Sequence, residues 1–266
     1  MPLLTPSIKY PEEKVDNLKP KDKKIVATIE ARFASTRLPG KTLLKIMGKP
    51  TLELIIERLK QSRYIDQIVV ATTINPDCDG IEYLTKRLGV GCFRGSEEDV
   101  LDRVLKAAKA YKTDIIVEMT GDETLIDPKI VDETIQYYLN NDFDYVSNIL
   151  DRRYPRGLDT QVFSRSVLEE VSRLTDDPAD RENVSLYIYE HPKKYSLGSV
   201  KAPDDLNHPD WRWTLDTKED FEFIKTVYEA LYPLKKYFDA YDILDFLNKN
   251  PQVLEINRKI VQKAVR

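Results

Sequence analysis

The sequence predicts an α/β protein built on a doubly wound, mostly parallel sheet. From Lys24 onward, short apolar runs rich in β-branched residues alternate with amphipathic segments of helix length. Buried parallel strands have this near-continuous apolar character because helices cover both of their faces. The alternation also requires crossover connections, which place helices on both sides of the sheet. In such sheets, ligands bind beyond the carboxyl ends of the strands.

The first half of the chain supplies most of the predicted elements. We expect strands at 24–30, 67–73, 90–93, 114–120 and 144–149, with helices between them at 51–63, 77–88, 97–110 and 128–140. The segment 51–63 carries apolar residues at helical spacing. Asp127-Pro128 is a typical helix start, because aspartate caps the first turn and the first helical position accepts proline.

The alternation changes after Leu150, where a charged, turn-rich connection begins. The predicted elements that follow are helices near 164–173 and 178–190, strands near 195–201 and 211–215, and helices near 217–231, 239–248 and 251–265. We therefore expect a main domain at 24–231 with a small subdomain at 150–205, inserted before the sheet resumes at Trp211. Residues 232–266 are predicted to form a C-terminal helical extension. Residues 1–23, rich in Pro, Lys and Glu, are predicted to form a flexible arm.

Composition excludes several classes of function. The net charge of −4 gives no reason to expect a surface that coats nucleic acid. Two cysteines, Cys78 and Cys92, are too few for a disulfide framework or a tetrahedral zinc site, and they indicate a reducing compartment. No apolar run approaches the ~20 residues of a spanning helix, and no signal peptide is evident. We expect a cytoplasmic protein with neither nucleic acid nor membrane as partner.

The loop after the first strand carries the strongest functional signal. Residues 30–41 read Glu-Ala-Arg-Phe-Ala-Ser-Thr-Arg-Leu-Pro-Gly-Lys and follow a buried strand. Arg32, Arg37 and Lys41 supply charge for a polyanion, and Gly40 permits close approach of the backbone. The alternative is a solvated basic turn. Three cations and a glycine at a strand end favour a phosphate-binding loop.

Two better-known phosphate motifs fit this loop poorly. The Gly-Lys-Thr that ends it matches a P-loop, but Ser35 stands in place of the first glycine and Pro39 removes an amide donor. The Gly-x-Gly-x-x-Gly fingerprint of dinucleotide-binding folds is absent. With only His191 and His208 in the chain, histidine-based acid–base or triad mechanisms are also disfavoured.

Two aspartates follow predicted strands and are candidate metal ligands. Asp122 comes after the strand at 114–120, and Asp216 after the strand at 211–215. Mg²⁺ prefers hard oxygen ligands and shares them with substrate phosphates, so a carboxylate pair at one sheet edge suits nucleotidyl transfer. The alternative is that each aspartate caps a helix. Asp159 is a third candidate, either in the metal shell, on the acceptor, or in an ion pair with Arg156.

Several motifs in order along the chain resemble the sugar cytidylyltransferases, which include the enzymes making CMP-ketodeoxyoctonate and CMP-sialic acids. Arg32-x-x-Ser35-x-Arg37-Leu38-Pro39-Gly40-Lys41 resembles the opening motif of that family, and the likeness is closest to its spore coat polysaccharide SpsF-like branch. The other matching segments lie at 68–73, 93–103, 120–127, 144–148, 154–159 and 215–221.

The resemblance implies a Rossmann-like nucleotidyltransferase fold and Mg²⁺-dependent transfer of CMP from CTP to an acid sugar or related small-molecule acceptor. Arg32, Arg37 and Lys41 would stabilise the leaving pyrophosphate, and Asp122 and Asp216 would hold the metal. The implied nucleotide-binding residues are Ala31, Arg32, Ser35, Arg37, Gly40, Lys41, Thr72, Arg94, Gly95, Ser96, Asp99, Arg103 and Gly121. The implied acceptor-binding residues are Tyr154, Arg156, Asp159, Arg181 and Glu182. A homodimer built through 150–205 is also expected.

Alternatives remain for several of these residues. Ser96 equally suits a helix cap, Arg103 suits an i,i+4 partner of Asp99, and Arg181 with Glu182 suits a salt-bridged surface helix. The sequence also departs from the branch, which usually has Gln at position 30, Cys-Pro at 123–124 and His at 183, where this chain has Glu30, Glu123-Thr124 and Asn183.

Two rival functions remain open: transfer of CMP to a phosphate or phosphonate acceptor, and nucleotide binding by a regulator without turnover.

Overall fold

The first strand in the chain is β1 (Ile25–Glu30), which lies inside the central sheet with its apolar residues buried on both faces. The computed structural model describes residues 22–263 and 265. The other strands of this sheet are β4 (Gln67–Thr73), β5 (Gly91–Gly95), β6 (Ile115–Thr120), β7 (Tyr145–Ser147), β8 (Gln161–Ser164) and β9 (Leu197–Ser199). Among the described residues they form one seven-stranded sheet in the order β5-β4-β1-β6-β8-β7-β9.

The pairing of the strands confirms the predicted mostly parallel sheet. β1 pairs in parallel with both β4 and β6, as do β4 with β5 and β7 with β9. The strand β8 runs antiparallel to β6 and β7. A separate hairpin joins β2 (Lys45–Ile46) to β3 (Lys49–Pro50) through Met47 and Gly48, which both have positive φ.

Helices cover both faces of the sheet. They are α1 (Thr51–Leu59), α2 (Asp79–Leu88), α3 (Val100–Ala110), α4 (Pro128–Leu139), α5 (Arg165–Val171), α6 (Pro178–Glu182), α7 (Leu186–Glu190), α8 (Lys218–Leu231) and α9 (Ala240–Lys249). As predicted, Asp127 caps α4, where its side chain accepts from the Lys129 amide at 2.8 Å. None of the helices in the described part of the chain is long and apolar enough to cross a membrane.

Alternation along β1 divides the interior into two layers. Ile25, Ala27 and Ile29 face a core that also contains apolar residues of α1, α2 and α4. Val26 faces the opposite core, which is built with α3, α5 and α7. This division follows from the two-residue period of a strand. A third core, centred on the fully buried Trp213, packs under α8 and α9.

The predicted strand near 211–215 is wrong. The segment makes a single bridge, Arg156 to Arg212, and does not extend the sheet. Its backbone pairs instead with the loops beside the strand ends: the Trp213 amide donates to the Arg156 carbonyl at 2.7 Å, and the Leu215 amide to the Asp122 carbonyl at 2.9 Å. The sheet therefore does not resume at Trp211.

Three other assignments differ from the structure. The strand β8 was not predicted, because only Val162 and Phe163 are apolar in its four residues, too few to show a period. The predicted helix at 178–190 is two short helices, separated where Asn183 ends α6. The predicted helix at 251–265 is a 3₁₀ turn at Pro251–Glu255, and the described residues after it form no helix.

The predicted division into domains stays a prediction. The segment 150–205 contributes β8 and β9 to the central sheet. The predicted arm at 1–23 lies almost entirely outside the described residues.

Candidate active site

A cleft of about 740 Å³ lies where β1 and β6 end. These are adjacent parallel strands, with Glu30 in register with Thr120, so the segments that follow them begin side by side. Many of the predicted site residues line this cleft: Ala31, Arg32, Ser35, Arg37, Lys41, Arg103, Gly121, Asp122, Glu182 and Asp216.

Gly121 allows the two strand ends to approach each other. Its amide donates to the Glu30 carbonyl at 2.8 Å. A Cβ at this position would lie only 2.8 Å from the same oxygen and 3.3 Å from the Cβ of Ala31. Glycine is therefore required for Asp122 to stand directly beside the phosphate loop.

Gly40 closes the loop that carries Lys41. It has a φ of +69°, and a Cβ there would meet the Phe33 ring at 2.9 Å. Its amide donates to the Phe33 carbonyl at 2.9 Å, which completes the loop. The Lys41 carbonyl is fixed in turn by the Thr51 hydroxyl at 2.6 Å, at the start of α1. These contacts direct the Lys41 side chain into the cleft.

Lys41 joins the two predicted metal ligands. Its Nζ lies 2.9 Å from an oxygen of Asp122 and 2.9 Å from an oxygen of Asp216. The other oxygen of Asp216 pairs with Arg37 at 3.0 Å and with Arg212 at 2.8 Å. Residues from three separate parts of the chain thus form one cluster of alternating charge.

This cluster fixes the charge of its members. Burial would raise the pKa of Asp216, but the nearby charges of Lys41 and Arg37 and the hydrogen bonds from Lys41 and Arg212 lower that pKa below its ordinary value. Burial would also lower the pKa of Lys41, yet the two aspartates raise it. Both groups are therefore charged at neutral pH, as a site for phosphate and metal requires.

The helix-cap alternative does not account for the two aspartates. The cap of α8 is Thr217, which forms a capping box with Asp220, and the cap of α4 is Asp127. Asp122 instead accepts a hydrogen bond from the Thr120 hydroxyl. Neither carboxylate caps a helix, and both line the cleft.

The donor set suits a magnesium ion that is shared with phosphate. Two carboxylates that reach the same ammonium can also reach one cation in its place. Among the described residues, no group of three or more His, Cys, Asp or Glu side chains is placed to hold a metal alone. Mg²⁺ is commonly bound by one or two carboxylates together with substrate phosphates.

Arg32 and Arg103 line another side of the cleft and bind the backbone of the 96–97 turn. The Arg32 guanidinium donates to the Glu97 carbonyl at 3.3 Å and pairs weakly with Glu182 at 3.5 Å. Arg103 donates to the carbonyls of Ser96 and Glu97. The backbone of the 96–97 turn therefore lies directly beside the phosphate loop.

Asp99 has a different partner from the one that helical spacing suggested. Its side chain caps α3 and pairs with Arg181 at 2.5 Å, so the Asp99–Arg103 pair does not form. Ser96 does not cap α3, and its hydroxyl accepts from the Asp99 amide at 3.0 Å. The Arg181 contact ties α3 to α6, which brings Glu182 and Asn183 into the cleft lining.

Several other predicted residues lie outside the cleft lining. Arg94 is bound by Asp79 at 2.7 Å and Glu82 at 2.6 Å. Thr72 is fully buried within β4. The remaining predicted residues that do not line the cleft are Gly40, Gly95, Ser96, Asp99, Tyr154, Arg156, Asp159 and Arg181.

The predicted acceptor residues near 154–159 have structural partners. Tyr154 is buried in the same core as Trp213. Asp159 forms a two-pronged ion pair with Arg152, at 2.9 and 2.8 Å, and not with Arg156. Gly157, with a φ of +99°, lies against the Trp213 backbone, where a Cβ would approach within 2.6 Å. This contact sets the path of the segment that carries Asp216.

Sequence reasoning missed the support for Asp216. Arg212 pairs with Asp216 and also with Asp220, at 3.0 Å, and all three are buried. Asn257 donates to Asp220 at 2.9 Å. The sequence shows an arginine followed by two aspartates at four-residue spacing. The predicted strand at 211–215 and the predicted helix at 217–231 assigned these side chains to separate elements. The contribution of Asn257 left no sequence signal.

Comparison with known proteins identifies the family. A family model described as cytidylyltransferase matches residues 26–260. This chain belongs to the cytidylyltransferase family. Its resemblance to these enzymes, predicted from the ordered motifs, is confirmed, and the protein is a nucleotidyltransferase of the cytidylyltransferase class.

Three relatives of this cytidylyltransferase are at least 31% identical to it. An uncharacterised protein of Methanocaldococcus jannaschii, MJ1063, is 41% identical over 248 residues, covering 91% of this chain and 98% of that protein. The spore coat polysaccharide biosynthesis protein SpsF of Bacillus subtilis is 35% identical over 234 residues, covering 85% and 95%. A 3-deoxy-manno-octulosonate cytidylyltransferase of Geobacter metallireducens is 31% identical over 189 residues, covering 65% and 74%.

A solved structure shows the same fold. It is a cytidylyltransferase from Leptospira borgpetersenii, which superposes with a TM-score of 0.82 at 35% identity and covers 91% of this chain and 100% of that one. The cytidylyltransferase fold, with its Rossmann-like central sheet, therefore extends over most of this chain.

Proposed function

We propose that this cytidylyltransferase transfers CMP from CTP to the oxygen of an acid sugar or a related acceptor, with release of pyrophosphate. The observation that carries the proposal is the meeting of Arg37, Lys41, Asp122 and Asp216 in one cleft. A site with both phosphate-binding cations and a carboxylate pair suits an in-line displacement at a nucleotide α-phosphate.

The residues of the cleft would act mainly through position and charge. Arg32, Arg37 and Lys41 would bind the β- and γ-phosphates and stabilise the charge that develops on the leaving pyrophosphate. Asp122 and Asp216 would hold Mg²⁺, which when bound neutralises charge on the α-phosphate. Nucleotide binding would separate Lys41 from one or both aspartates, since the ammonium and the metal compete for the same oxygens.

The names of the relatives support an acid-sugar acceptor, and the structure suggests where it would enter. The relatives include proteins named for spore coat polysaccharide biosynthesis and for 3-deoxy-manno-octulosonate cytidylyl transfer. In this chain, α6 borders the cleft with Glu182 and Asn183 and is anchored by Arg181. An acceptor that enters beside α6 would meet the nucleotide at the aspartate pair.

The acceptor and the nucleotide are tested together by a pyrophosphate-release screen. CTP, UTP, ATP and GTP would each be combined with Mg²⁺ and with acid-sugar, phosphate and phosphonate acceptors. We expect release with CTP and an acid sugar. Release only with a phosphate or phosphonate acceptor would favour the first rival function. If calorimetry detects CTP binding but no acceptor gives pyrophosphate release, the second rival function, a nucleotide-binding regulator without turnover, is favoured.

We further propose a homodimer that is built through the 150–205 segment. Two strands of this segment belong to the sheet: β9 forms the edge opposite β5, and β8 lies between β6 and β7. Light scattering on the full chain should give twice the monomer mass of 30.9 kDa. A mass equal to the monomer would contradict the proposal.

A further inference from the structure

The chain returns to the active site after its last α-helix. Asn257 is buried, with 3% of its surface exposed. Its side-chain amide donates to the Arg212 carbonyl at 2.8 Å and to Asp220 at 2.9 Å. Because Arg212 also binds Asp216, this contact ties the 257–263 segment to the carboxylate pair.

The same segment then reaches the cleft itself. The Gln262 side-chain carbonyl accepts from Arg212 Nη1 at 2.5 Å. Gln262, Lys263 and Val265 line the cleft together with Lys41, Asp122 and Asp216. Arg212 is thus the common anchor for a metal-site aspartate and for the segment that forms this wall.

Lys263 differs from the other basic residues of the cleft. Arg37 and Lys41 are committed to the aspartates, and Arg32 contacts Glu182. Arg103 donates to the backbone carbonyls of Ser96 and Glu97. Lys263 is exposed and has no ion pair within 4.0 Å in the part of the chain that the structure describes. A lysine ammonium on a flexible stem is a well-suited phosphate ligand, because it acts as a mobile point charge.

We propose that Lys263 binds the triphosphate of the bound nucleotide and that the 257–263 segment, held by Arg212, forms one wall of the nucleotide site. The proposal rests on the proposed function, since it concerns the nucleotide that the cleft receives. A triphosphate brings several negative charges into a cleft whose own cations are already partly neutralised by carboxylates. An additional, unpaired ammonium at the mouth would offset part of that charge.

The test compares Lys263→Ala with Lys259→Ala, a change at an exposed lysine that does not line the cleft. Calorimetry would measure binding of CTP and of CMP, each with Mg²⁺. We expect Lys263→Ala to weaken CTP binding by about 5- to 20-fold and to leave CMP binding nearly unchanged, because the lost contact is to the outer phosphates. Lys259→Ala should bind both nucleotides as the wild type does.

Gln262→Ala provides a second variant that leaves Lys263 in place. It removes the anchor to Arg212, so it should weaken CTP binding in the same direction and by a smaller factor. CTP binding by Lys263→Ala that equals wild type, or an equal loss for CTP and CMP, would overturn the proposal.

The two proposals fail in distinguishable ways. If wild-type protein releases no pyrophosphate from any nucleotide and acceptor but Lys263→Ala still weakens CTP selectively, the transfer reaction is wrong and the triphosphate contact stands. If wild-type protein releases pyrophosphate and Lys263→Ala binds CTP normally, the transfer reaction stands and the triphosphate contact is wrong.

Discussion

At the scale of single residues, Lys41 links the loop after β1 to the two aspartates of the cleft. Its ammonium is held 2.9 Å from each of Asp122 and Asp216, so it keeps the two carboxylates together before any nucleotide arrives. In the proposed reaction, the same ammonium would bind the β- and γ-phosphates while a cation takes its place between the aspartates. One side chain would therefore have different partners in the free and the loaded site.

Replacement of Lys41 by Ala should lower the rate of pyrophosphate release by about 10²–10³-fold, the range seen for the loss of one preorganised electrostatic contact. The measurement is continuous pyrophosphate release with CTP and the acceptor identified by the screen. Lys45→Ala is the matched control, since Lys45 is exposed on β2 and does not line the cleft. Equal rates for the two variants would show that Lys41 has no role in the reaction.

Only part of the site could be predicted from the sequence. Lys41 and Asp122 follow buried strands of strong apolar character, so their meeting at one sheet edge was predictable from the order of strands alone. Asp216 follows no strand, and its placement depends on backbone contacts with Arg156 and Asp122. The sequence identified it through the family motif and through a predicted strand at 211–215 that the structure does not contain. Arg212 and Asn257 act through contacts between distant parts of the chain, which no local pattern records.

At the scale of elements, the segment 211–217, which lies just before α8, holds the second aspartate without being a strand or a helix. Gly157 lets the chain pass close to Trp213, and Arg212 then binds Asp216 and Asp220 from within the loop. The side chains of Arg212 and Asp220 are only 5% and 0% exposed. A buried network of this kind fixes loop geometry that regular hydrogen bonding does not supply.

Arg212→Met should destabilise the protein by roughly 3–5 kcal/mol, because it leaves the fully buried Asp220 carboxylate without its charged partner. Urea unfolding followed by circular dichroism measures the effect. The control is Arg258→Met, where the arginine is 72% exposed and paired with Glu255, so the change should cost under about 1 kcal/mol. Comparable losses in both variants would contradict a structural role for the buried network.

The hydrophobic periodicity of the sequence predicted the long buried strands and missed a short one. The sheet strands β1, β4 and β6 were predicted within one residue of their observed ends, because each buries a long run of β-branched residues. The strand β8 contributes only two apolar residues and could not be distinguished from a loop. The alternation at 211–215 reflects a chain that packs against loops on one side and a core on the other.

At the scale of the whole molecule, carboxyl groups are buried behind the cleft as well as in it. Glu118 lies on β6 and is 5% exposed, and burial raises its pKa to about 7 from an ordinary value of 4.5. The pKa of Glu30 is also raised, by burial first and by the neighbouring Glu118 second. The folded protein thus favours the neutral form of Glu118 more strongly than the unfolded chain does.

The stability of the fold should therefore fall with rising pH through this group. The contribution of Glu118 is fully present below pH 4.5 and is lost as the pH rises towards about 7. Glu118→Gln, which stays neutral, should match wild type near pH 4 and exceed its free energy of unfolding by roughly 1–3 kcal/mol at pH 8. Urea unfolding at the two pH values measures the difference. The control is Glu229→Gln, at an exposed residue of α8. If the Glu118→Gln and Glu229→Gln variants differ from wild type by the same amount at both pH values, the expected shift is refuted.

The central claim is that Asp122 and Asp216 together form the reaction centre of this cytidylyltransferase. The most direct measurement is pyrophosphate release by Asp122→Asn and Asp216→Asn with CTP, Mg²⁺ and the acceptor identified by the screen, alongside circular dichroism. Each variant should remain folded and lose at least about 10²-fold in rate, since each loses one carboxylate of the proposed magnesium site. Folded variants that both keep near-wild-type rates would contradict the account.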